Sequence, residues 1–166
     1  YSYLVTKIPG VWGVVFGLLD VSWMYPVMSF GRRIYNHCNT ARFRELVMKE
    51  NFDVIVTTHF MSNEVVSALK RKGLIQAKLI SVVTDFDVHR IWLGRGVDRY
   101  CVASEWTKTK LKTLGVDEAK IKVTGIPTHE KFSHTYDIGI LKEKLGLKKD
   151  AFTVLVATGS FGIGPI

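Results

Sequence analysis

Two carboxylates and an imidazole alternate in TDFDVHRIWL, residues 84–93, as Asp85, Asp87 and His89. An extended segment would put all three on one face. A carboxylate beside an imidazole orients it and tunes it as a general base. The same group types also bind metals, but no metal-ligand motif surrounds them and no metal is expected. A structural reading competes: Asp85 caps a loop or helix, and His89 is a satisfied rim residue. Trp92 either packs in the core or covers an apolar acceptor.

Two glycine-containing strings carry further chemistry. ATGSFGIG, residues 157–164, follows an apolar run. Exposed N–H groups in such a loop suit a phosphate. The spacing of Gly159, Gly162 and Gly164 matches neither GxxxxGK[ST] nor GxGxxG. In GIPTHEKF, residues 125–132, Gly125 lets the backbone approach a ligand and Pro127 stiffens the exit. An ordinary strand-to-loop turn explains the same string. His59, after another apolar run, is either structural or a site residue.

The elements that must position these groups alternate along the chain. Residues 31–50 read as a basic helix. NFDVIVTTHF reads as a first strand whose Val54, Ile55 and Val56 run apolar without a break, as in a parallel sheet buried on both faces. A helix over 62–73 ends at Gly73. LISVVTD and VDRYCVAS are the second and third strands. Ser104 caps a helix that ends near Gly115. IKVTG is a fourth strand, residues 138–146 a short helix, and AFTVLVATGS a fifth strand. Strands alternating with helices at this spacing give an α/β domain with a Rossmann-like parallel sheet. Ligands of such sheets bind beyond the carboxyl ends of the strands, where His59, Asp85, His89, Ser104, Gly125 and Gly159 fall.

The totals narrow the partners. The chain has 166 residues, 47% of them hydrophobic, and a formal net charge of +8. That balance suits an anionic partner. Without a Lys/Arg block or zinc spacing, nucleic acid is not expected. Cys38 and Cys101 read as two thiols in a reducing compartment rather than a disulfide framework. Residues 1–30 carry only Lys7 and Asp20 as charges. The apolar run Val11–Leu19 is shorter than the roughly 20 residues that span a bilayer. Trp12, Phe16 and Trp23, with Arg32, Arg33, Arg42 and Arg44 behind them, suit an in-plane membrane anchor. Packing inside a larger core is the other reading.

Taken together, VVTDFDVHRIWL, VDRYCVAS, IKVTGIPTHEKF and LVATGSFGIG resemble the monogalactosyldiacylglycerol synthase and processive diacylglycerol glucosyltransferase family. They are more distantly similar to the lipid-linked N-acetylglucosamine transferase of peptidoglycan synthesis. The resemblance covers about residues 30–164. It implies a GT-B glycosyltransferase: two Rossmann-like domains facing across a cleft, the first for the lipid acceptor and membrane, the second for the nucleotide sugar. Residues 1–133 would then be most of the acceptor domain, 134–150 a linker, and 151–166 the first strand and loop of the donor domain. Both ends would be cut from a longer chain, with the catalytic base in a preceding segment.

The resemblance implies catalytic roles for Asp85 and His89 and substrate-binding roles for His59 and Trp92. Gly125, Ile126 and Pro127 match a G-x-P turn near the donor phosphates. Gly159, Ser160 and Gly162 match a loop on the diphosphate. Thr158 stands where a glycine is usual, and Thr128 and His129 replace an apolar-Arg pair. The implied activity moves a hexose from UDP-glucose or UDP-galactose to diacylglycerol without a cofactor. The enzyme would sit on anionic lipid as a monotopic protein, on the cytoplasmic face in a bacterium or the plastid envelope in a plant. The chain alone would be inactive. The alternative is a non-catalytic, acceptor-binding subunit of a split transferase.

Overall fold

The computed structural model describes residues 39–157, together with Val14, Gly17, Phe30 and Gly31. The anchor residues Trp12, Phe16 and Trp23, Cys38, and the loop residues Gly159, Ser160 and Gly162 lie outside the described residues. The described chain forms two compact units that meet in sequence at Ile126 and Pro127.

The first unit holds α1 (Ala41–Lys49), β1 (Val54–Thr57), α2 (Phe60–Arg71), β2 (Lys78–Val82), β3 (Arg99–Val102), α3 (Glu105–Thr113) and β4 (Ile121–Val123). The strands form one sheet in the order β1-β2-β3-β4, with every neighbouring pair parallel. Parallel neighbours need a crossover, and α2 and α3 supply two of the three. The third, between β2 and β3, has only a 3-10 turn, Arg90–Trp92.

Local chemistry fixes the helix ends. Ser104 accepts the Thr107 N–H at 3.3 Å and starts α3. Gly73 and Gly115 have φ of 71° and 90°. After each glycine the chain closes the same double bond: Gly73 and Leu74 donate to Lys70 and Leu69, and Gly115 and Val116 to Lys112 and Leu111. These are Schellman ends, which favour glycine because it takes the left-handed conformation without a Cβ clash.

The register sorts the strands into two faces. Ile55, Thr57, Leu79, Ser81, Tyr100, Val102 and Ile121 lie on one, and Val65, Val66, Leu69 and Leu111 of the helices join the core there. The other face carries Val54, Val56, Lys78, Arg99 and Lys122, which are exposed, with Ile80 and Cys101 half-buried and Val82 buried. The expectation that β1 is buried on both faces is therefore corrected. β1 has one strand neighbour among the described residues, and both described crossover helices add to the core on the opposite face.

Gly94 and Gly96 hold the turn before β3 against α2. A Cβ on Gly96 would sit 2.7 Å from the Ser67 carbonyl oxygen, and a backbone oxygen cannot swing away. Gly96→Ala is expected to destabilise the fold by about 1–3 kcal/mol in urea unfolding, the range for overpacking a fitted site.

The second unit, described from Pro127 to Ala157, contains a 3-10 turn (Glu130–Ser133) and α4 (Ile138–Lys144), capped by Asp137 through the Ile140 N–H at 3.0 Å. The expected fifth strand is not formed over the described residues 151–157, which have no regular secondary structure; Phe152 is 94% exposed. Its apolar run has the composition of a strand, but a strand needs a neighbour to share its ladder. No described helix is long and apolar enough to cross a membrane.

Candidate functional site

All four strands are parallel, so the segments leaving them share one edge. There the chain places Thr58 and His59 after β1, residues 83–89 after β2, Ser104 after β3, and Thr124, Gly125 and Ile126 after β4.

The DFDVH segment does not run extended. It bends at Phe86 and Asp87, so Asp85, Asp87 and His89 do not share a face. The bend is set from outside the segment. Thr107, fully buried on α3, donates through Oγ1 to the Phe86 carbonyl at 2.9 Å. Asp87 turns outward to an exposed ion pair with Lys110 at 3.6 Å, which contributes little in water.

Asp85 is the fixed carboxylate of the edge. Its Oδ2 accepts the Trp92 indole N–H at 2.7 Å, and its residue is exposed. Trp92 is 2% exposed and packs among the core residues. It therefore holds Asp85 from below and does not present a ring to a substrate, contrary to its expected binding role. Asp85 accepts from Trp92 and not from His89, so the expected carboxylate–imidazole pair is absent among the described hydrogen bonds.

His89 is 9% exposed and caps the 3-10 turn: its Nδ1 accepts the Ile91 N–H at 3.2 Å. A neutral imidazole that accepts through Nδ1 carries its proton on Nε2. His59 is built alike on α2, its Nδ1 accepting the Met61 N–H at 3.2 Å, with its ring stacked on Phe60. His59 is exposed at the edge and remains open to a ligand.

Gly125 has φ of 78° and donates to the Val102 carbonyl at 3.2 Å. No atom lies within 4 Å of where its Cβ would be, so the glycine serves backbone conformation and leaves open space beside the turn. Ile126 closes this unit and Pro127 opens the next.

Three features of the edge escaped the sequence. Asn63 is fully buried; it donates to the Trp92 carbonyl at 2.8 Å and accepts from Thr57 Oγ1 at 3.4 Å, tying the end of β1 to the turn that carries Trp92. Nothing in the α2 pattern marks it apart from a polar residue at a core position. Phe86 and Trp106 are 65% and 56% exposed. Together they give the edge an apolar flank. No group of three metal-ligating side chains occurs among the described residues.

Away from the edge, Glu118 clips the approach to β4 onto α3, accepting from Lys108 at 2.8 Å and Lys112 at 2.5 Å. These bonds hold its carboxyl down to about 2. A carboxyl lowered on folding stabilises the fold above its ordinary value, and that contribution is lost as pH falls from about 4.5 through about 2. Thermal melts across this window are expected to fall less steeply for Glu118→Gln than for the native chain. Because Glu118 is exposed, the difference should shrink in high salt.

Comparison with known proteins places this geometry. The family model for monogalactosyldiacylglycerol (MGDG) synthase matches residues 5–128. The processive diacylglycerol beta-glucosyltransferase of Bacillus subtilis (strain 168) is 32% identical over 130 residues, covering 78% of this chain and 34% of that protein. The enzyme of the same name from Bacillus mycoides (strain KBAB4) is 33% identical over 135 residues, covering 81% of this chain and 32% of that one. The chain spans about a third of the length of these curated relatives. A match over residues 5–128 takes in β1 to β4 and every described segment of the edge, and on that extent the chain belongs to the monogalactosyldiacylglycerol synthase family.

Proposed function

We propose that the chain supplies the acceptor side of a glycosyltransferase that moves a hexose from a UDP-sugar to diacylglycerol at a membrane surface. The observation that carries this reading is Asp85: a carboxylate fixed through one oxygen by a buried indole, on the carboxyl edge of the sheet, in a chain of this family. The relatives' names supply diacylglycerol as the acceptor and glucose as one sugar. The exposed Phe86 and Trp106 flank the same edge and suit the apolar part of a lipid acceptor.

In the transfer, the acceptor hydroxyl oxygen bonds to the anomeric carbon as the bond from that carbon to the diphosphate breaks. The hydroxyl proton passes to a base, and the diphosphate leaves with the electron pair. Asp85 Oδ1 makes no hydrogen bond among the described residues and orients the acceptor hydroxyl. His89, at the end of the same segment, is the second residue of this edge assigned to the transfer. The base is assigned to neither residue.

The turn at Gly125, Ile126 and Pro127 lies towards the donor phosphates, and Gly159, Ser160 and Gly162 meet the diphosphate through backbone N–H groups. Residues 1–133 form the acceptor domain, 134–150 the linker, and 151–166 the opening of the donor domain. The protein rests on anionic lipid as a monotopic enzyme and uses no cofactor.

The test is direct. The complete reading frame is incubated with diacylglycerol liposomes and labelled UDP-glucose or UDP-galactose, and the lipids are extracted. Label in a glycosyl-diacylglycerol is the expected result and names the sugar. Label in no lipid, with protein bound to the liposomes, would refute transfer to diacylglycerol.

A further inference from the structure

A cavity of about 580 Å³ opens at the opposite, amino edge of the sheet, away from every residue assigned to transfer. Its walls are one face of α2, the turn before β3, and the segment from Leu114 to Asp117 before β4. Arg71 lines it from the last position of α2, Arg95 from the turn, and Lys120 from the residue just before β4. Neither guanidinium has a hydrogen bond or ion pair among the described residues, and the Lys120 ammonium reaches only the Val97 carbonyl, at 3.4 Å.

The turn that presents Arg95 is built, not loose. The Gly96 N–H donates to Ser67 Oγ at 2.9 Å and the Gly94 N–H to the Tyr100 hydroxyl at 2.9 Å. The hydroxyl in turn donates to the Gly94 carbonyl at 3.3 Å. Both glycines are packed so closely on Ser67 that a Cβ would meet it at 2.7–2.8 Å. A fixed turn thus holds Arg95 in the lining of the same cavity as Arg71. Two planar forks and an ammonium around one cavity match a phosphate, whose several oxygens accept bidentate bonds.

Glu64 and Asp117 also line the cavity. Asp117 Oδ1 is occupied by the Ala119 N–H at 3.0 Å. Three cations against two carboxylates leave the cavity cationic, and a dianion gains more there than a monoanion.

We propose that this amino-edge cavity is a second binding site, for a phosphate or phosphate ester, separate from the transfer site. The phosphate is either free in solution or the headgroup of an anionic lipid. The site does not depend on the sugar-transfer reading.

Two probes separate the sources: inorganic phosphate, followed by amide shifts of Gly94, Arg95 and Gly96, and flotation with phosphatidylcholine vesicles with or without about one-fifth phosphatidylglycerol. The variants are Arg71→Gln with Arg95→Gln, both exposed positions, and Lys122→Gln as a control for loss of one positive charge. Matching circular dichroism and melting establish that each variant is folded.

The double variant is expected to weaken binding by at least about tenfold, the loss of charge-assisted hydrogen bonds, with Lys122→Gln within about twofold of native. That pattern with inorganic phosphate assigns a free phosphate. The pattern with phosphatidylglycerol vesicles alone assigns a lipid headgroup. No binding of either probe, or binding that the double variant leaves unchanged or that Lys122→Gln weakens as much, overturns the proposal.

Discussion

Asp85→Asn is expected to lower turnover about 100-fold or more in the complete reading frame, with the melting temperature close to native. The size follows from the role: a group that positions the acceptor hydroxyl acts in the transition state, where such contributions are typically of this order. The side chain is exposed and its one hydrogen bond is to Trp92, so little folding energy rests on it. The amide keeps the shape and can still accept the indole N–H through its oxygen. What it loses is the charge and the second acceptor. Steady-state assays beside thermal melts measure both halves. Near-native turnover would make Asp85 a cap on the Trp92 indole and nothing more.

Trp92 gives the second large effect, and it divides between two substitutions. Trp92→Ala empties a site in the centre of the core, where the side chain is 2% exposed, and should cost about 3–5 kcal/mol in urea unfolding. That is a large share of the stability of a small domain. Trp92→Phe keeps an aromatic ring in the core but removes the N–H that holds Asp85. Its stability loss should be far smaller, while turnover falls roughly ten- to a hundredfold, because a misplaced positioning group is costly to rate. If Trp92→Phe left turnover unchanged, the indole hydrogen bond would be irrelevant to the site.

What the sequence made legible was local. Ser104 as a cap, Gly73 and Gly115 as helix ends, and the alternation of strands and helices follow from chemistry within a few residues. The edge itself was legible in outline, because parallel strands must deliver the residues after them to one side. The geometry of DFDVH was not. Period-two reasoning assumes a straight chain, and the bend is set by Thr107, 21 residues further on. Likewise, Asn63 acts through a carbonyl 29 residues away. The fifth strand rests on the composition of AFTVLVATGS, residues 151–160, although pairing, not composition, decides whether a ladder forms. The exposed part of the second face was visible in Lys78, Arg99 and Lys122 on β2 to β4. It was hidden by the unbroken apolar run of β1.

The measurement that bears most directly on the central claim is a map of where the acceptor binds. A water-soluble short-chain diacylglycerol would be titrated into the labelled chain while its amide and histidine side-chain resonances are followed. The expected result is that His59, Asp85, His89 and Gly125 shift together, with Phe86 and Trp106, while Gly94 and Gly96 at the amino edge do not. Shifts confined to the amino edge, or to the exposed face of β1, would contradict the assignment of the carboxyl edge as the acceptor site.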